Sequence, residues 1–422
     1  MVVPAPAPVH AAARRTPRTA VVVGAGMVGL ATAWHLQERG VEVTVLDRQG
    51  VAAGSSWGNA GWLTPGMAMP LADPSLWTYA PKALLDRGAP VHVPARLDPR
   101  LWSFLVRFAA HATPRAWRRA MAALTPIDRM ALDAFDELAA GGVTAPTRTG
   151  PFVVGFEHER QARGFRHELE QVAAAGQEVP LRRRGDAPVP QLSDRVGSVW
   201  TLEGQRFCEP GPFVESLADA VRSRGAKIVT DAHVTAVGRG ATGVRVEAAD
   251  HDVHTADAVV LATGAWLPAL ARPLGVRTRV QAGRGYSFTV ATDVPVEQPI
   301  YLPARRVACT PYRGRLRVAG TMEFRGADEP LQRGRIDAIL AGVRDLFTGV
   351  DLDDRHDEWV GARPVTPDGL PLVGATRAPG VYVAGGHGMW GMVLGPATGR
   401  LLAEQIVTGD VPAEVRPFDP LR

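Results

Sequence analysis

The sequence predicts an α/β protein, with a parallel sheet of the nucleotide-binding type and a second, interrupted domain that is rich in strands. Three observations predict this fold class. A strand, a glycine-rich turn, a helix and a second strand follow one another between residues 19 and 47. Two more apolar strands end in small-residue turns, at residues 257–266 and 381–388. Between these blocks, residues 149–157 and 279–321 contain further runs with strand character.

The first block is a dinucleotide-binding fingerprint. The strand Thr19–Val23 leads directly into a GxGxxG turn, Leu30–Arg39 has the pattern of a helix, and Asp47 ends a second strand 18 residues after the last glycine. Such glycines let the backbone approach a pyrophosphate, and the helix N-terminus faces the phosphates. The acidic residue accepts hydrogen bonds from the ribose hydroxyls. The block predicts a Rossmann-type domain whose cofactor contacts include Gly24, Gly26, Met27, Val28, Gly29 and Asp47.

Asp47 and the loop after it bear on which dinucleotide binds. A carboxylate at this position repels a 2′-phosphate, which disfavours NADP. Arg48 is of the residue type that would favour NADP, but we interpret it as packing on the adenine side or as solvated. The loop Gly54–Gly61, with the sequence GSSWGNAG, is made of small and hydroxyl-bearing residues. Such a loop suits a second approach to pyrophosphate and flavin, so FAD is favoured over NAD.

Composition excludes several other classes of protein. A net charge of +4 over 422 residues predicts no nucleic-acid partner. Cys208 and Cys309 are the only cysteines, which excludes a disulfide scaffold and makes a reducing, cytoplasmic compartment the default. No metal-ligand spacing and no apolar run long enough to span a membrane occurs. Residues 1–18 are rich in Pro and Ala, and we expect a disordered tail rather than a signal peptide.

From the small-residue loop onward, the chain resembles the D-amino-acid oxidase/glycine oxidase superfamily of flavoproteins, and within it the bacterial D-amino-acid dehydrogenases. Three further blocks carry the resemblance: the ATG turn at residues 262–264, the RPVTPDGLPLVG segment at 363–374, and GGHGMWGM at 385–392. The resemblance implies a Rossmann-type FAD-binding domain with an interleaved antiparallel-sheet (α+β) substrate domain.

The implied domains are discontinuous. Residues 19–70, 200–272 and 352–415 would form the FAD-binding domain, and residues 71–199 and 273–351 the substrate domain. In the substrate domain, the strands would form the antiparallel sheet that covers the flavin in this family. Leu331–Phe347 has the apolar spacing of a helix.

The resemblance also implies a larger set of FAD contacts than the fingerprint alone. Covalent relatives tether the flavin through a cysteine near Gly361 or a histidine near Asn59, and this chain has neither. FAD is therefore expected to bind non-covalently. The further contacts implied by the resemblance are Arg48, Ser55, Ser56, Asn59, Ala60, Gly61, Val234, Thr263, Gly264, Trp266, Gly386, His387, Gly388, Met389, Trp390, Gly391 and Met392.

Three residues are candidates for a catalytic role. Arg363 matches the arginine that binds the substrate carboxylate in this family, and a guanidinium grips a carboxylate with two parallel hydrogen bonds. Tyr286 matches a tyrosine near the active site, with packing as the alternative. His387 lies in the Gly-His-Gly turn, either as a base or in a role that orients the backbone. Several oxidases carry a substrate-facing tyrosine where this chain reads Val307–Thr310, which favours the dehydrogenase branch.

The resemblance implies FAD-dependent oxidative deamination of a small amino acid, with a D-amino acid favoured. Hydride would pass from Cα to flavin N5, and the imino acid would hydrolyse to a 2-oxo acid and ammonia. Electrons would continue to a quinone or to another acceptor. The alternatives are an oxygen-using amine, glycine or sarcosine oxidase, a cyclic (hydroxy)proline-type oxidoreductase, a NAD-dependent dehydrogenase, and a non-catalytic nucleotide-binding redox protein.

One segment leaves a second question open. Residues 71–124 mix tryptophans with arginines, and Leu101–His111 has the pattern of an amphipathic, basic helix. Peripheral contact with the inner face of the plasma membrane would suit a dehydrogenase that reduces quinones. The alternative is a set of helices packed on the flavin domain. No motif reports the oligomeric state.

Overall fold

A computed structural model describes residues 16–86, 88–185, 188–249 and 251–422. Of the tail predicted at residues 1–18, the first 15 residues lie outside this description. The strands are β1 (Thr19–Val23), β2 (Glu42–Leu46), β3 (Trp62–Leu63), β4 (Val91–His92), β5 (Arg148–Thr149), β6 (Phe152–Phe156), β7 (Leu181–Arg183), β8 (Ser198–Leu202), β9 (Arg206–Phe207), β10 (Lys227–Val229), β11 (Val234–Arg239), β12 (Val244–Ala248), β13 (His254–Ala256), β14 (Ala258–Leu261), β15 (Gln281–Thr292), β16 (Ile300–Leu302), β17 (Val307–Tyr312), β18 (Arg315–Phe324), β19 (Val350–Val365), β20 (Leu372–Ala375) and β21 (Val381–Gly385). The α-helices are α1 (Met27–Glu38), α2 (Leu76–Leu85), α3 (Pro99–His111), α4 (Pro114–Ala140), α5 (Glu159–Ala174), α6 (Pro210–Ser223), α7 (Leu267–Ala271), α8 (Arg333–Val343) and α9 (Gly391–Thr408).

The first sheet is the nucleotide-binding sheet. Its strand order is β10-β2-β1-β14-β21-β20, and every neighbouring pair is parallel except β20 and β21. Strands β1 and β14 are runs of valine, alanine and leucine that are buried on both faces, as expected for a parallel sheet covered on both sides. Their carboxyl ends lie side by side, with the Ala262 N–H donating to the Val23 carbonyl over 2.8 Å. The fingerprint turn and the ATG turn therefore meet at one edge.

The second sheet is larger and mostly antiparallel. Its order is β19-β15-β18-β17-β16-β6-β8-β7, with β4 beside β18. On β15 the side chains alternate between two faces. Tyr286 and Phe288 belong to the apolar core that Ile336 and Ile339 of α8 also enter, whereas Ser287 donates to the carbonyl of Gly58 in the small-residue loop. One face of the sheet thus packs on α8 and the other on the cofactor-side loops.

Strand β19 connects the two parts of the molecule. It pairs with β15 along most of its length, so its residues belong to the antiparallel sheet. The predicted domain boundary at residue 352 falls inside this strand, and the boundary at residue 200 falls inside β8. The division into an FAD-binding and a substrate domain remains a proposal.

The helix α4 is part of the core that covers the nucleotide-binding sheet. Its residues Leu124, Ile127 and Phe135 are buried together with residues of α1 and α9. For this helix, the structure favours packing on the flavin-side core over membrane contact.

Close contact between α1 and α9 yields a stability prediction. A Cβ added at Gly399 would lie 2.6 Å from the backbone carbon of Ala31 and 2.7 Å from the backbone nitrogen of Thr32. Backbone atoms cannot yield as a side chain does, so Gly399→Ala should lower the free energy of unfolding by about 1–3 kcal/mol. Urea unfolding at fixed pH measures this difference. As a control, Gly342→Ala in α8 meets nothing within 4 Å and should raise stability by about 0.5–1 kcal/mol. Equal losses in both variants would contradict the packing argument.

Candidate active site

A cavity lies where the carboxyl ends of β1, β2 and β14 face the small-residue loop and strand β19. Asp47 and Val234 line it on the nucleotide-binding side. Arg363 and His387 line it on the side of the antiparallel sheet. The cavity therefore joins the fingerprint to the predicted substrate-binding residues.

The turn after β1 brings the backbone to the cavity. Gly24 has φ +117°, and a Cβ there would lie 2.4 Å from the carbonyl oxygen of Ala262. Any other residue would be strained and would collide with the ATG turn. Helix α1 begins directly after this turn at Met27, whose N–H donates to Ser56 Oγ over 3.2 Å. The amino end of a helix and a hydroxyl-bearing loop thus face the same space, which suits a pyrophosphate.

Asp47 is fixed by backbone donors. One carboxylate oxygen accepts from the N–H groups of Gln49 and Gly50 over 2.9 Å each, and the other from Ala25 over 2.8 Å. A carboxylate has about four acceptor positions, so capacity for a ribose hydroxyl remains. Arg48, by contrast, is engaged by Asp328 and by the ring of Trp266. It is therefore held by groups of the protein rather than free to bind a 2′-phosphate.

Arg363 is a guanidinium without a counter-ion. Among the described residues, no side chain or carbonyl forms a hydrogen bond or an ion pair with it. Its head lies on the Cα of Gly285, where a Cβ would come within 2.1 Å of a terminal nitrogen. Burial lowers the pKa of Arg363 to about 10, which still leaves it charged at neutral pH. An unpaired, desolvated cation that lines a cavity is a binding site for an anion.

His387 is buried beside the strand that carries Arg363. Its backbone forms an isolated antiparallel β-bridge with Val365. In the side chain, Nε2 lies 3.0 Å from Thr398 Oγ1, while Nδ1 has no partner among the described residues. Burial lowers the pKa of His387 to about 4, so the ring is neutral at pH 7. A base of this pKa is weak at neutral pH. The geometry favours the alternative in which His387 orients the backbone of its turn.

Tyr286 is not brought to the cavity. Its side chain lies on the α8 side of β15, is buried, and donates from its hydroxyl to Glu323 Oε2 over 2.8 Å. Burial also raises the pKa of Tyr286. Two other tyrosines of the antiparallel sheet also pack outside the cavity lining: the Tyr312 ring lies 3.7 Å from the Arg317 guanidinium, and Tyr301 packs edge-on against Trp62. The packing alternative therefore fits Tyr286 best, and period-two alternation along β15 was the signal that could have shown it.

The small-residue loop is held by side chains of the antiparallel sheet. Arg317 donates to the carbonyls of Trp57 over 2.9 Å and Asn59 over 3.4 Å. Ser287 donates to the Gly58 carbonyl over 2.7 Å, and Thr310 to the Ala60 carbonyl over 2.5 Å. Four successive carbonyls are thus bound from three neighbouring strands.

The same loop also reaches the strand of the unpaired arginine, because Ser55 Oγ donates to the carbonyl of Ala362. The loop therefore links the start of α1 to the residue before Arg363.

Most residues predicted from the sequence line the cavity. Besides Tyr286, those that do not are Gly29, Ala60, Gly61, Gly386 and Trp390. Of these five, Trp390 donates from its indole N–H to the Met69 carbonyl over 2.7 Å. Lining residues that the sequence did not reveal are Val23, Leu46, Gln49, Gly54, Ala232, His233, Ala262, Ala269, Leu270, Pro364, Ala384 and Gly385. Gly54, Ala262, Pro364 and Gly385 lie inside the motifs named above. Most of the others are small or apolar residues that flank the motifs and carry no chemical signature.

Comparison with known proteins gives a consistent result. The family described as FAD dependent oxidoreductase matches residues 19–405. A D-amino acid dehydrogenase of Methylobacterium radiotolerans is 33% identical, over 93% of this chain and 96% of that protein. A D-amino acid dehydrogenase of Methylobacterium nodulans is 34% identical with the same coverage. Among solved structures, glycine oxidase from Geobacillus kaustophilus aligns with a TM-score of 0.71 at 21% identity, covering 97% of this chain and 99% of that one.

The residues of the cavity fit the cofactor that the family uses. The turn at Gly24 and the start of α1 suit the pyrophosphate, and Asp47 suits the ribose. The flavin would then extend toward Arg363 and His387. The match with glycine oxidase, being low in identity, supports the fold alone.

The pKa of His387 predicts how stability depends on pH. In the folded protein the His387 ring takes up a proton only near pH 4, whereas in the unfolded chain it does so near the ordinary value of 6.5. Between these pH values the unfolded state therefore binds more protons than the folded state. Stability should therefore fall as the pH is lowered from about 6.5 to about 4, by up to about 3 kcal/mol from this residue.

Urea unfolding across this range checks the prediction, because His387→Gln should flatten the slope. Other groups whose pKa the fold shifts would contribute the slope that remains, among them His35, whose pKa burial lowers to about 3, and His92, whose pKa burial also lowers. An unchanged slope in His387→Gln would show that His387 does not titrate in this way.

Proposed function

Because the chain belongs to the family of FAD-dependent oxidoreductases, we propose that it deaminates a small amino acid oxidatively, with a D-amino acid favoured. The product is an imino acid, which water hydrolyses to a 2-oxo acid and ammonia. FAD, when bound, supplies the two-electron acceptor, and a quinone or another acceptor takes the electrons onward. The D-amino acid dehydrogenases among the relatives support this substrate class.

The unpaired guanidinium of Arg363 carries the proposal. The carboxylate of an amino acid would supply the missing counter-ion. Two parallel hydrogen bonds fix the plane of the carboxylate, and with it the direction of the Cα–H bond. Pro364 and Met389 line the cavity with Arg363 and offer an apolar wall to a small side chain.

The remaining residues position the substrate and limit the charge around it. His387 stays neutral, so Arg363 is the single cation that the cavity presents to the carboxylate at that end. No side-chain base is assigned, because the amine is reactive in its neutral form and positioning supplies much of the rate. In the proposed division, the antiparallel sheet closes the cavity from the substrate side.

Replacing Arg363 tests the proposal. Arg363→Gln should lower kcat/KM for D-alanine at least tenfold, because a charge-assisted pair contributes about 1.5–3 kcal/mol. Loss of flavin colour on anaerobic mixing with the amino acid gives the rate directly. The visible flavin spectrum of the variant checks that FAD is still bound.

Two comparisons make the test specific to the carboxylate. Wild type should prefer D-alanine over D-alaninamide, and Arg363→Gln should lose that preference. Arg344→Gln removes an exposed positive charge outside the cavity and should keep the wild-type rates. A variant at Arg363 that still prefers the carboxylate, with FAD bound, would refute the assignment.

We further propose that helix α3 touches an anionic lipid surface, which would give access to a lipid-soluble acceptor. Among the described residues, six of the ten exposed large apolar side chains lie between residues 77 and 106. Trp102 and Val106 lie one turn apart on α3, and Leu97 precedes the helix fully exposed. Arg100 and Arg107 are exposed on the same helix. In the described part of the chain, no helix is long and apolar enough to cross a membrane.

Binding to lipid vesicles tests this surface. Leu97→Glu with Val106→Glu should reduce cosedimentation with phosphatidylglycerol vesicles about tenfold or more, since each apolar side chain buried in lipid contributes about 1.5–3 kcal/mol. Val253→Glu, at an exposed valine elsewhere in the chain, is the control. Wild type that binds neither these vesicles nor neutral ones would refute the proposal.

A further inference from the structure

Three side chains form a closed cycle at the edge of the cavity. The Arg48 guanidinium lies 3.0 Å from Asp328 Oδ1, and its carbon lies 3.9 Å from the centre of the Trp266 ring. The indole N–H of Trp266 donates to both oxygens of Asp328, over 2.9 and 3.0 Å. Each member therefore contacts the other two.

The cycle joins parts of the chain that the cavity separates. Arg48 follows β2 directly after Asp47, and Trp266 follows the ATG turn after β14; both line the cavity. Asp328 comes from the loop that connects β18, a strand of the antiparallel sheet, to α8. The three side chains thus connect the nucleotide-binding sheet to the antiparallel sheet. They do so next to Asp47, the carboxylate that suits the ribose.

The strength of the cycle suits a contact that opens and closes. The side chains of Asp328 and Arg48 are 67% and 31% exposed, and exposed ion pairs contribute little on their own. Partial desolvation alone would raise the pKa of Asp328, but the hydrogen bonds from Trp266 and Arg48 outweigh it and hold that pKa below its ordinary value. The carboxylate therefore stays charged at neutral pH. Stacking of a guanidinium on an indole adds a second attraction.

We propose that Arg48, Trp266 and Asp328 form a latch over the adenosine end of the FAD site, and that FAD leaves the protein only when this latch opens. Asp328 is then a cofactor-retaining residue supplied by the substrate sheet. The latch goes beyond the proposed reaction, because it governs how long the cofactor stays rather than what is oxidised. Its test needs no amino acid.

The release rate of FAD is the decisive measurement. Dilution of the loaded protein, followed by separation of free from bound FAD by ultrafiltration at timed intervals, gives this rate directly. Asp328→Asn removes the charge with little change in shape and should speed release about tenfold, as expected for loss of a charge-assisted hydrogen bond. Trp266→Phe keeps a ring for Arg48 but removes the N–H donor, and should give a smaller increase.

The neighbouring residue supplies a matched control. Glu329 lies in the same loop, but its carboxylate is bound by Arg96 over 2.7 Å and by Arg325 over 3.2 Å, away from the cavity lining. Glu329→Gln should therefore release FAD at the wild-type rate. High salt should speed release from wild type by screening the ion pair, and should do so much less in Asp328→Asn.

A purely structural role predicts a different pattern. It would lower the melting temperature of the FAD-free protein in Asp328→Asn and leave the release rate unchanged. A latch should leave the FAD-free melting temperature close to wild type and shrink the stabilisation that added FAD produces. Release rates within twofold of wild type in both Asp328→Asn and Trp266→Phe, or an equal effect of Glu329→Gln, would overturn the latch. A protein that takes up no FAD at all would refute the proposed function as well.

Discussion

The cavity depends on how the loop Gly54–Gly61 is held. This loop lies between two sheets that share no strand, and its carbonyls at residues 57–60 all bond to side chains of the antiparallel sheet. A buried carbonyl without a partner costs free energy, so the loop and the sheet must stay together. On the side of the nucleotide-binding sheet, Ser56 accepts from the start of α1, and Ser55 donates to Ala362 on β19 of the antiparallel sheet. The position of Arg363 relative to the nucleotide-binding turn is thereby fixed by one short segment.

Charge is distributed along the cavity in a way that separates its two tasks. Asp47 places a carboxylate at the nucleotide end, and Arg363 places a cation at the other end. The second basic residue of the lining, Arg48, is neutralised by Asp328, and His387 is kept neutral by burial. A lone desolvated guanidinium is unfavourable by itself, and an anion that binds there removes much of that cost. In the proposed function, selectivity for a carboxylate therefore arises from an interaction that the free protein lacks.

The sequence predicted the parts of this arrangement that depend on local patterns. The glycine turn, the strands on either side of it and Asp47 follow from spacing over fewer than 30 residues, and Arg363 follows from a contiguous motif. For Tyr286, a motif match gives no information about which face of the strand the residue occupies, and its side chain lies on the α8 face. The alternation of Gly283, Gly285 and Ser287 with Arg284, Tyr286 and Phe288 contained that information. On the opposite face, Gly285 leaves the room in which the Arg363 side chain lies against β15.

Contacts between distant segments could not be predicted from the sequence, and the latch is the clearest example. Arg48 and Asp328 are 280 residues apart in the chain, and neither belongs to a motif that includes the other. Asp328 lies in a loop with no periodicity, where a carboxylate is an ordinary surface residue. Only the packing of the two sheets brings it to Trp266. The loop with Asp328 and the motif with Arg363 thus contribute separately to one cofactor site. A substitution that alters cofactor retention in the proposed latch can therefore leave the proposed chemistry at Arg363 unchanged.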